Sequence, residues 1–335
     1  MTFISVLIYT FDRKDYILRA VNSVLQQNFD HNKFEIVVVK GFTDSDIDKF
    51  LNSHGIKSVY LNDKSLGSKV AKGVQCCKGD VICLLDDDDE FETNKLQTVF
   101  KIFDENHNVD FVHNSIVKID DTGSIIDNAP NENFSNNLSF SPTNYNSGLF
   151  SKIIKKRGDW YLSSMCIRKS ILDGVLDELA NTNQSVDKFI FFAALNYGKD
   201  ILMIKDKLTR YRLHESTTTY AGPIADFIGK REIFFKNTVN VFESIVKISE
   251  NKPGKKYAAC QLIQHKINLY FISDEAHSKV SMRDFVQFLS CLKITHSRYQ
   301  LVWICAFLIR RVSPGLSRFL YYNFFKIAFK NAATA

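Results

Sequence analysis

The apolar run Val81-Ile82-Cys83-Leu84-Leu85 leads straight into four aspartates, Asp86 to Asp89. A run this short and continuous reads as a buried strand. Four carboxylates at its end repel one another and have no packing role. They mark a place for a cation, and carboxylate oxygens are the ligands that magnesium and manganese take. In open α/β sheets, ligands bind outside the carboxyl ends of strands. The competing reading is a solvated acidic turn.

The surrounding pattern supports the strand. Ile4 to Tyr9, Glu35 to Val39, Ser58 to Leu61, Val81 to Asp86 and Val109 to Val117 read as strands. Between them, Tyr16 to Gln27, Asp46 to Ser53, Ser68 to Cys77 and Asn94 to Asn106 have helical spacing. Strands alternating with helices imply parallel pairing, right-handed crossovers and a doubly wound α/β sheet of the nucleotide-binding type. Asp121 to Ser147 is polar and reads as a long loop, a class that is usually functional or mobile. Trp160 to Ile167 and Ile201 to Ile204 return to strand character, with a helix over Asp187 to Tyr197 between them.

Composition excludes some classes. A net charge of +6 on 335 residues does not suit a nucleic-acid binder, and no basic stripe with interleaved aromatics appears in the α/β region. Seven cysteines without a CxxC pair fit neither a zinc site nor a disulfide framework, which leaves reduced core thiols and a cytoplasmic location as the expectation. The N-terminal segment lacks a basic n-region and a cleavage site, so it reads as a first strand and not a signal peptide.

From about residue 221 the pattern is helical only, over Ile224 to Ser249, Lys255 to Phe271, Met282 to Leu292 and a terminal segment. The apolar stretch Leu301 to Ile309 is too short to span a bilayer. With Arg310, Arg311, Arg318, Lys326 and Lys330 around aromatic residues, the end of the chain (about 298–330) reads as amphipathic helices lying on a membrane surface. A helix pair packed on the protein's own core is the other reading.

Four segments, in order, resemble family-2 glycosyltransferases. Ser5-Val-Leu-Ile-Tyr-Thr-Phe-Asp-Arg13, Leu18 to Gln27 and Phe34 to Val39 are similar to the family's opening. Gly79 to Asp89 is similar to its DxD segment, Ser185-Val-Asp-Lys-Phe189 to its "ED" helix start, and Tyr211-Arg-Leu-His-Glu-Ser216 to its "YRxHxxS" element. The resemblance covers roughly residues 1–220. It implies a GT-A fold, Rossmann-like with a mostly parallel sheet flanked by helices, followed here by a helical C-terminal region over 221–335. It also implies transfer of a sugar from a nucleotide-sugar donor.

By the same resemblance Asp187 is the general base, Asp86 faces the donor ribose with Asp87 on the donor side, and Mn²⁺ or Mg²⁺ sits at Asp86 and Asp88, with Asp88 its direct ligand. His214 approaches the metal or the diphosphate, although a lone histidine is more often structural. Thr10 and Asp12 correspond to donor base and ribose contacts. Arg212, with Arg210, is placed to clamp phosphate oxygens or to brace a strand. Lys69 reaches the diphosphate or is an exposed helix lysine. Trp160, Ser163 and Ser164 form the acceptor loop. One departure is plain: where the family shows "VVDDGSTD", this chain has Val38-Val39-Lys40-Gly41-Phe42-Thr43-Asp44. A lysine cannot accept a hydrogen bond from a uracil N–H.

The expected function is inverting, metal-dependent glycosyl transfer to a glycan or lipid-linked acceptor, at the inner face of the cell membrane. A nucleotidyltransferase on the same fold is disfavoured because Thr10 to Arg13 contains no glycine to cradle a triphosphate. A non-catalytic nucleotide-sugar binder is the remaining rival, and Lys40 is the feature that speaks for it.

Overall fold

The structure is a computed structural model that describes residues 2–12, 14–126, 134–142, 147–213, 224–250, 252–273, 280–291 and 300–333. The chain divides into two compact units, residues 1–214 and 215–335.

The first unit is built on one sheet with strand order β3-β2-β1-β4-β8-β6-β9-β5. Its first half comprises β1 (Ile4–Thr10), β2 (Phe34–Lys40), β3 (Lys57–Tyr60) and β4 (Val81–Asp86). These pair in parallel, as alternation with helices requires. The chain leaves β1 on one side to make β2 and β3, then returns on the other to make β4. The order therefore reverses between β1 and β4, and the carboxyl ends of those two strands flank a crevice. Helix α1 (Ile17–Leu25) buries Ile17, Ala20, Val21 and Val24, a stripe that packs against the interior of β1 and β4.

The second half is mixed. Strand β8 (Met165–Arg168) lies antiparallel between β4 and the long β6 (Val109–Ile119). Strand β9 (Asp200–Arg212) runs parallel to β6, and the short β5 (Glu90–Phe91) and β7 (Leu138–Phe140) pair antiparallel with β9. The segment read as a strand from Trp160 is instead a 3-10 turn, Leu162–Ser164, feeding β8. The polar segment from Asp121 contains β7, and helix α5 (Ser147–Lys155) follows it. Part of that segment lies outside the described residues.

Helix α2 (Ser45–Ser53) is capped by Asp44, which accepts from the Asp46 and Ile47 N–H groups. Helix α3 (Leu66–Cys76) is capped by Ser65. Helix α4 (Lys95–Glu105) follows β5. Two short helices, α6 (Lys169–Asp173) and α7 (Leu176–Ala180), precede α8 (Val186–Tyr197), whose Phe189 to Leu195 are all fully buried.

The second unit contains α9 (Ile224–Ile248), α10 (Lys255–Ile272), α11 (Met282–Cys291), α12 (Gln300–Val312) and α13 (Pro314–Ala333). Its core gathers Phe235, Ile263, Phe271, Phe288 and Tyr321, with the Phe285 and Phe307 rings stacked 3.8 Å apart. The buried Arg310 closes the end of α10 by donating to the carbonyl oxygens of Tyr270 (2.9 Å) and Ser273. One expectation is corrected here. Cys260 and Cys291 form a disulfide between α10 and α11, with Cα atoms 5.3 Å apart, while Cys76, Cys77, Cys83, Cys166 and Cys305 are free thiols. The two half-cystines are 31 residues apart in sequence, so no local motif announced the pair.

Candidate active site

The register of the sheet brings the site together. Tyr9 pairs with Asp86 across β1 and β4, so the end of β1 sits beside the first aspartate. Cys83 pairs with Cys166 across the antiparallel β4 and β8. Three residues onward on one strand and three backward on the other, Asp86 meets Ser163.

The contacts follow from that register. Tyr9 Oη donates to Asp86 Oδ1 at 2.6 Å. Ser163 Oγ accepts from the Asp86 N–H at 2.9 Å and donates to Asp86 Oδ2 at 3.2 Å. Thr10 Oγ1 donates to Asp87, and both residues are buried. Asp89 is buried and accepts from the Arg212 N–H at 2.9 Å. Its Oδ2 has no hydrogen-bond partner among the described residues. Asp12 is exposed just beyond β1.

These carboxyls are electrostatically crowded. Burial first, then the charge of Asp88, pushes Asp86 up to about 7. Burial, Asp88 and Asp86 raise Asp89 well above the carboxylate range. A divalent cation would relieve this crowding, and the all-oxygen donor set with an unspent Asp89 oxygen fits magnesium or manganese. Among the described residues no group of three or more His, Cys, Asp or Glu side chains is gathered to hold a metal by itself. Such a cation would therefore take donor and water oxygens as well, which is the usual habit of magnesium. His214 lies outside the described residues.

Two lysines are buried at the site. Lys69, in the first turns of α3, donates from Nζ to the Leu61 carbonyl at 2.6 Å and lies 5.1 Å from the Phe11 ring centroid. It is inside the molecule, not on an exposed helix face, and burial lowers its pKa. Gly41 leaves the necessary space: a Cβ there would come within 2.5 Å of the Phe11 carbonyl oxygen and 3.0 Å of Lys69 Nζ. Lys95 opens α4 beneath the acidic turn. Its ammonium donates to the Ser163 carbonyl (2.5 Å) and Thr209 Oγ1 (2.9 Å) and sits 3.7 Å from the Phe91 ring centroid.

Arg212 is a brace. Its side chain is buried, Nε donates to the Asp88 carbonyl at 2.8 Å, and Nη1 donates to the carbonyls of Asp120 (2.6 Å) and Asp121 (3.1 Å). Nη2 pairs with Glu90 at 2.5 Å. A guanidinium committed to four oxygens has little left for a phosphate. Arg210 pairs with Glu92 at 2.8 Å and, with Arg19 and Gln26, lines a cleft of about 420 Å³ beside α1 and β5.

The acceptor-side residues divide. Trp160 is 41% exposed, with the Arg157 guanidinium 4.7 Å and the Lys188 ammonium 4.6 Å from its ring. Ser163 and Ser164 are fully buried, so a sugar has no access to them in this structure, and Ser163 serves Asp86 instead. Asp187 opens α8 and is partly exposed. Burial pushes its carboxyl up to about 6, against the pull of Lys188. Lys188 itself holds the buried Asp159 at 2.8 Å. His113 Nε2 donates to the Trp160 carbonyl at 2.8 Å, and burial lowers its pKa to about 4, so the ring stays neutral.

Backbone strain gathers in the same stretch. Among the described residues the non-glycine residues with positive φ are Arg157 (56°), Tyr161 (64°) and Ser185 (51°). Two flank Trp160 and the third is two residues before Asp187, a distribution typical of functional segments.

Tyr9, Lys95, Asp159 and Lys188 escaped the sequence reading. Tyr9, Asp159 and Lys188 each adjoin a residue singled out there, which was the available signal. Lys95 gave none, because its burial is created by long-range packing.

Lys40 shows what became of the family aspartate. Its Nζ pairs with Asp48 Oδ1 at 2.7 Å and donates to the Phe42 carbonyl at 2.9 Å.

Comparison with known proteins agrees with this architecture. Residues 5–169 match the family model described as glycosyl transferase family 2. An uncharacterized glycosyltransferase of Rickettsia bellii is 26% identical over 220 residues, covering 60% of this chain and 31% of that protein. One of Nostoc is 27% identical over 221 residues, covering 63% of this chain and 65% of that protein. Across the first three curated relatives the chain spans 31% to 65% of their length. Among solved structures, S. aureus TarS 1–349 in complex with UDP aligns with a TM-score of 0.56 at 16% identity, over 87% of this chain and 79% of that one. The same protein in complex with UDP-GlcNAc aligns with a TM-score of 0.54 at 15% identity, over 89% and 88%. At such identity the likeness is one of fold, and the fold is GT-A. The sheet crevice and the acidic turn at the end of β4 thus lie within residues 5–169, the segment that matches the glycosyl transferase family 2 model.

Proposed function

We propose that the protein is an inverting glycosyltransferase that moves a sugar from a nucleotide-sugar donor to an acceptor hydroxyl. The observation that carries this reading is a carboxyl poised at about 6, Asp187, in the same unit as an acidic turn at the sheet's switch point. Asp187 takes the proton of the acceptor hydroxyl. The acceptor oxygen then bonds to the anomeric carbon, and the bond from that carbon to the diphosphate breaks with its electron pair leaving on the phosphate. A single displacement inverts the anomeric centre.

Asp88 would hold the divalent metal, with Asp86 and Asp87 on the donor side beside Thr10 and Asp12. When bound, the metal supplies positive charge against the leaving diphosphate. The buried ammonium of Lys69 faces the same strand ends and is assigned to the diphosphate. Arg212 is assigned to positioning the acidic turn, and Trp160 to the face of the acceptor sugar. The acceptor is read as a glycan or lipid-linked saccharide, met at the inner face of the cell membrane. UDP and UDP-GlcNAc, bound in the TarS structures, make uridine donors the first to test. Lys40 makes guanosine and thymidine donors necessary controls.

The test is thermal stabilisation by UDP-, GDP- and dTDP-sugars with and without Mn²⁺, on the wild type and Asp88→Asn. The expected result is stabilisation by one nucleotide that needs the metal and disappears in the variant. Stabilisation by none of the donors would overturn the reading. The Lys40 departure supports a second reading, a nucleotide-sugar binder without turnover. Its signature would be donor binding without transfer in the wild type, with that binding unmoved by Asp187→Asn.

A further inference from the structure

The C-terminal unit exposes what a soluble helical core would hide. Leu308 and Val312 on α12 are 56% and 87% exposed, and Leu316, Phe319 and Leu320 on α13 are 48%, 55% and 39% exposed. All five fall within thirteen residues around the break that Pro314 makes between the helices. Each helix keeps a separate buried stripe, Phe307 and Arg310 on α12 and Ser317 and Tyr321 on α13. The exposed set recurs at helical spacing (308 and 312; 316, 319 and 320), so it forms second faces rather than scattered contacts.

Charge identifies what covers this surface. After Asp284 the sequence has seven lysines and arginines (Lys293, Arg298, Arg310, Arg311, Arg318, Lys326 and Lys330) and no acidic residue. The whole chain carries only +6, so this segment holds all of the net positive charge and the rest sums to −1. Arg311 is exposed between Leu308 and Val312. No helix of the described residues is long and apolar enough to cross a membrane. Exposed large apolar side chains beside the exposed Arg311, in a sequence segment without acidic residues, match the interface of a bilayer that carries negative headgroups.

We infer that the α12–α13 junction docks on anionic phospholipid, inserting Leu308, Val312, Leu316, Phe319 and Leu320 among the headgroups while the exposed Arg311 meets the phosphates. This surface specifies the membrane contact of the function proposed above and rests on that part of it, not on the transfer chemistry.

The test is co-sedimentation of the full chain with vesicles of phosphatidylcholine alone and of phosphatidylcholine containing about 30% phosphatidylglycerol. The expected result is at least about tenfold tighter binding to the anionic vesicles, weakening as salt is added. The double variant Val312→Asp with Phe319→Asp should lose about tenfold or more of that binding. Because both residues are exposed, its melting temperature should stay at the wild-type value, and Arg311→Glu gives an independent second variant. Equal binding to both vesicle types, binding that the variants leave intact, or a wild-type dimer in light scattering that the double variant dissociates would each overturn the inference. Donor-induced thermal stabilisation, measured on the same proteins, separates its failure from failure of the glycosyltransferase reading.

Discussion

The two units depart from ordinary burial in opposite directions. The α/β unit buries charge: Lys69, Lys95, Asp87, Asp89 and Arg212 are all inside it. The helical unit exposes apolar surface, with Val312 and Phe319 mostly in solvent. Both are costly for a free-standing domain, since charged groups lose hydration and large apolar patches stay wet. On the readings proposed above, each unit faces a different ligand. The first is arranged around a small, highly charged molecule that enters a crevice, and the second around an extended apolar and anionic surface.

Substitutions can break or sharpen this contrast. The largest effect is expected at Asp187. Asp187→Asn should reduce kcat about 10³-fold, within the range for loss of a general base, with donor binding unchanged in a thermal-shift assay. The wild-type rate should fall about tenfold per pH unit below about 6, where the carboxyl protonates. The sign for stability is the reverse. The native carboxyl titrates near 6 whereas an unfolded aspartate titrates near 4, so the native state binds more protons between these values and loses stability as pH rises through them. The same Asn variant should therefore be more stable by about 1–2 kcal/mol at pH 8, read from the urea midpoint.

Next comes Lys95→Met, which keeps the helix and most of the volume but removes the ammonium that joins the Ser163 carbonyl to Thr209. It should cost about 3 kcal/mol in urea unfolding, because it strands buried acceptors and leaves the acidic turn without its inner cation. Trp160→Ala should raise the acceptor KM about tenfold and leave donor affinity alone. The smallest effect on folding belongs to the helical unit, where Val312→Asp should shift stability by less than about 0.5 kcal/mol. A large loss there would mean that the exposed face packs against protein.

Much of the crevice was legible because its determinants are local. A buried strand declares itself by an unbroken apolar run, and the residues after it must lie at a sheet edge. That logic located Asp86 to Asp89 before any coordinates, while Thr10 and Asp12 were found through the family resemblance. The helices from Ile224 to Cys291 were legible for the same reason, since their period is written in consecutive residues. What stayed hidden depends on long-range pairing. Ser163 is buried because β8 inserts antiparallel between β4 and β6, and nothing near residue 163 encodes that choice. A lysine on a helix reads as solvated, so Lys95 looked ordinary until the sheet closed over it, and the burial of Lys69, read as a diphosphate contact or an exposed lysine, was equally hidden. The sequence left Arg212 open between a phosphate clamp and a brace, because its partners, three of them backbone carbonyls, carry no side-chain signature.

The Lys40–Asp48 pair also has an evolutionary consequence. Returning Lys40 to the family's aspartate would set a new carboxylate near Asp48 and take away the cation that Asp48 holds at 2.7 Å. Changing Asp48 first would strand a lysine that is almost wholly buried. Either single step is penalised, so the two positions can revert only together. The pair acts as a latch: the end of β2 keeps its lysine for as long as α2 keeps its aspartate.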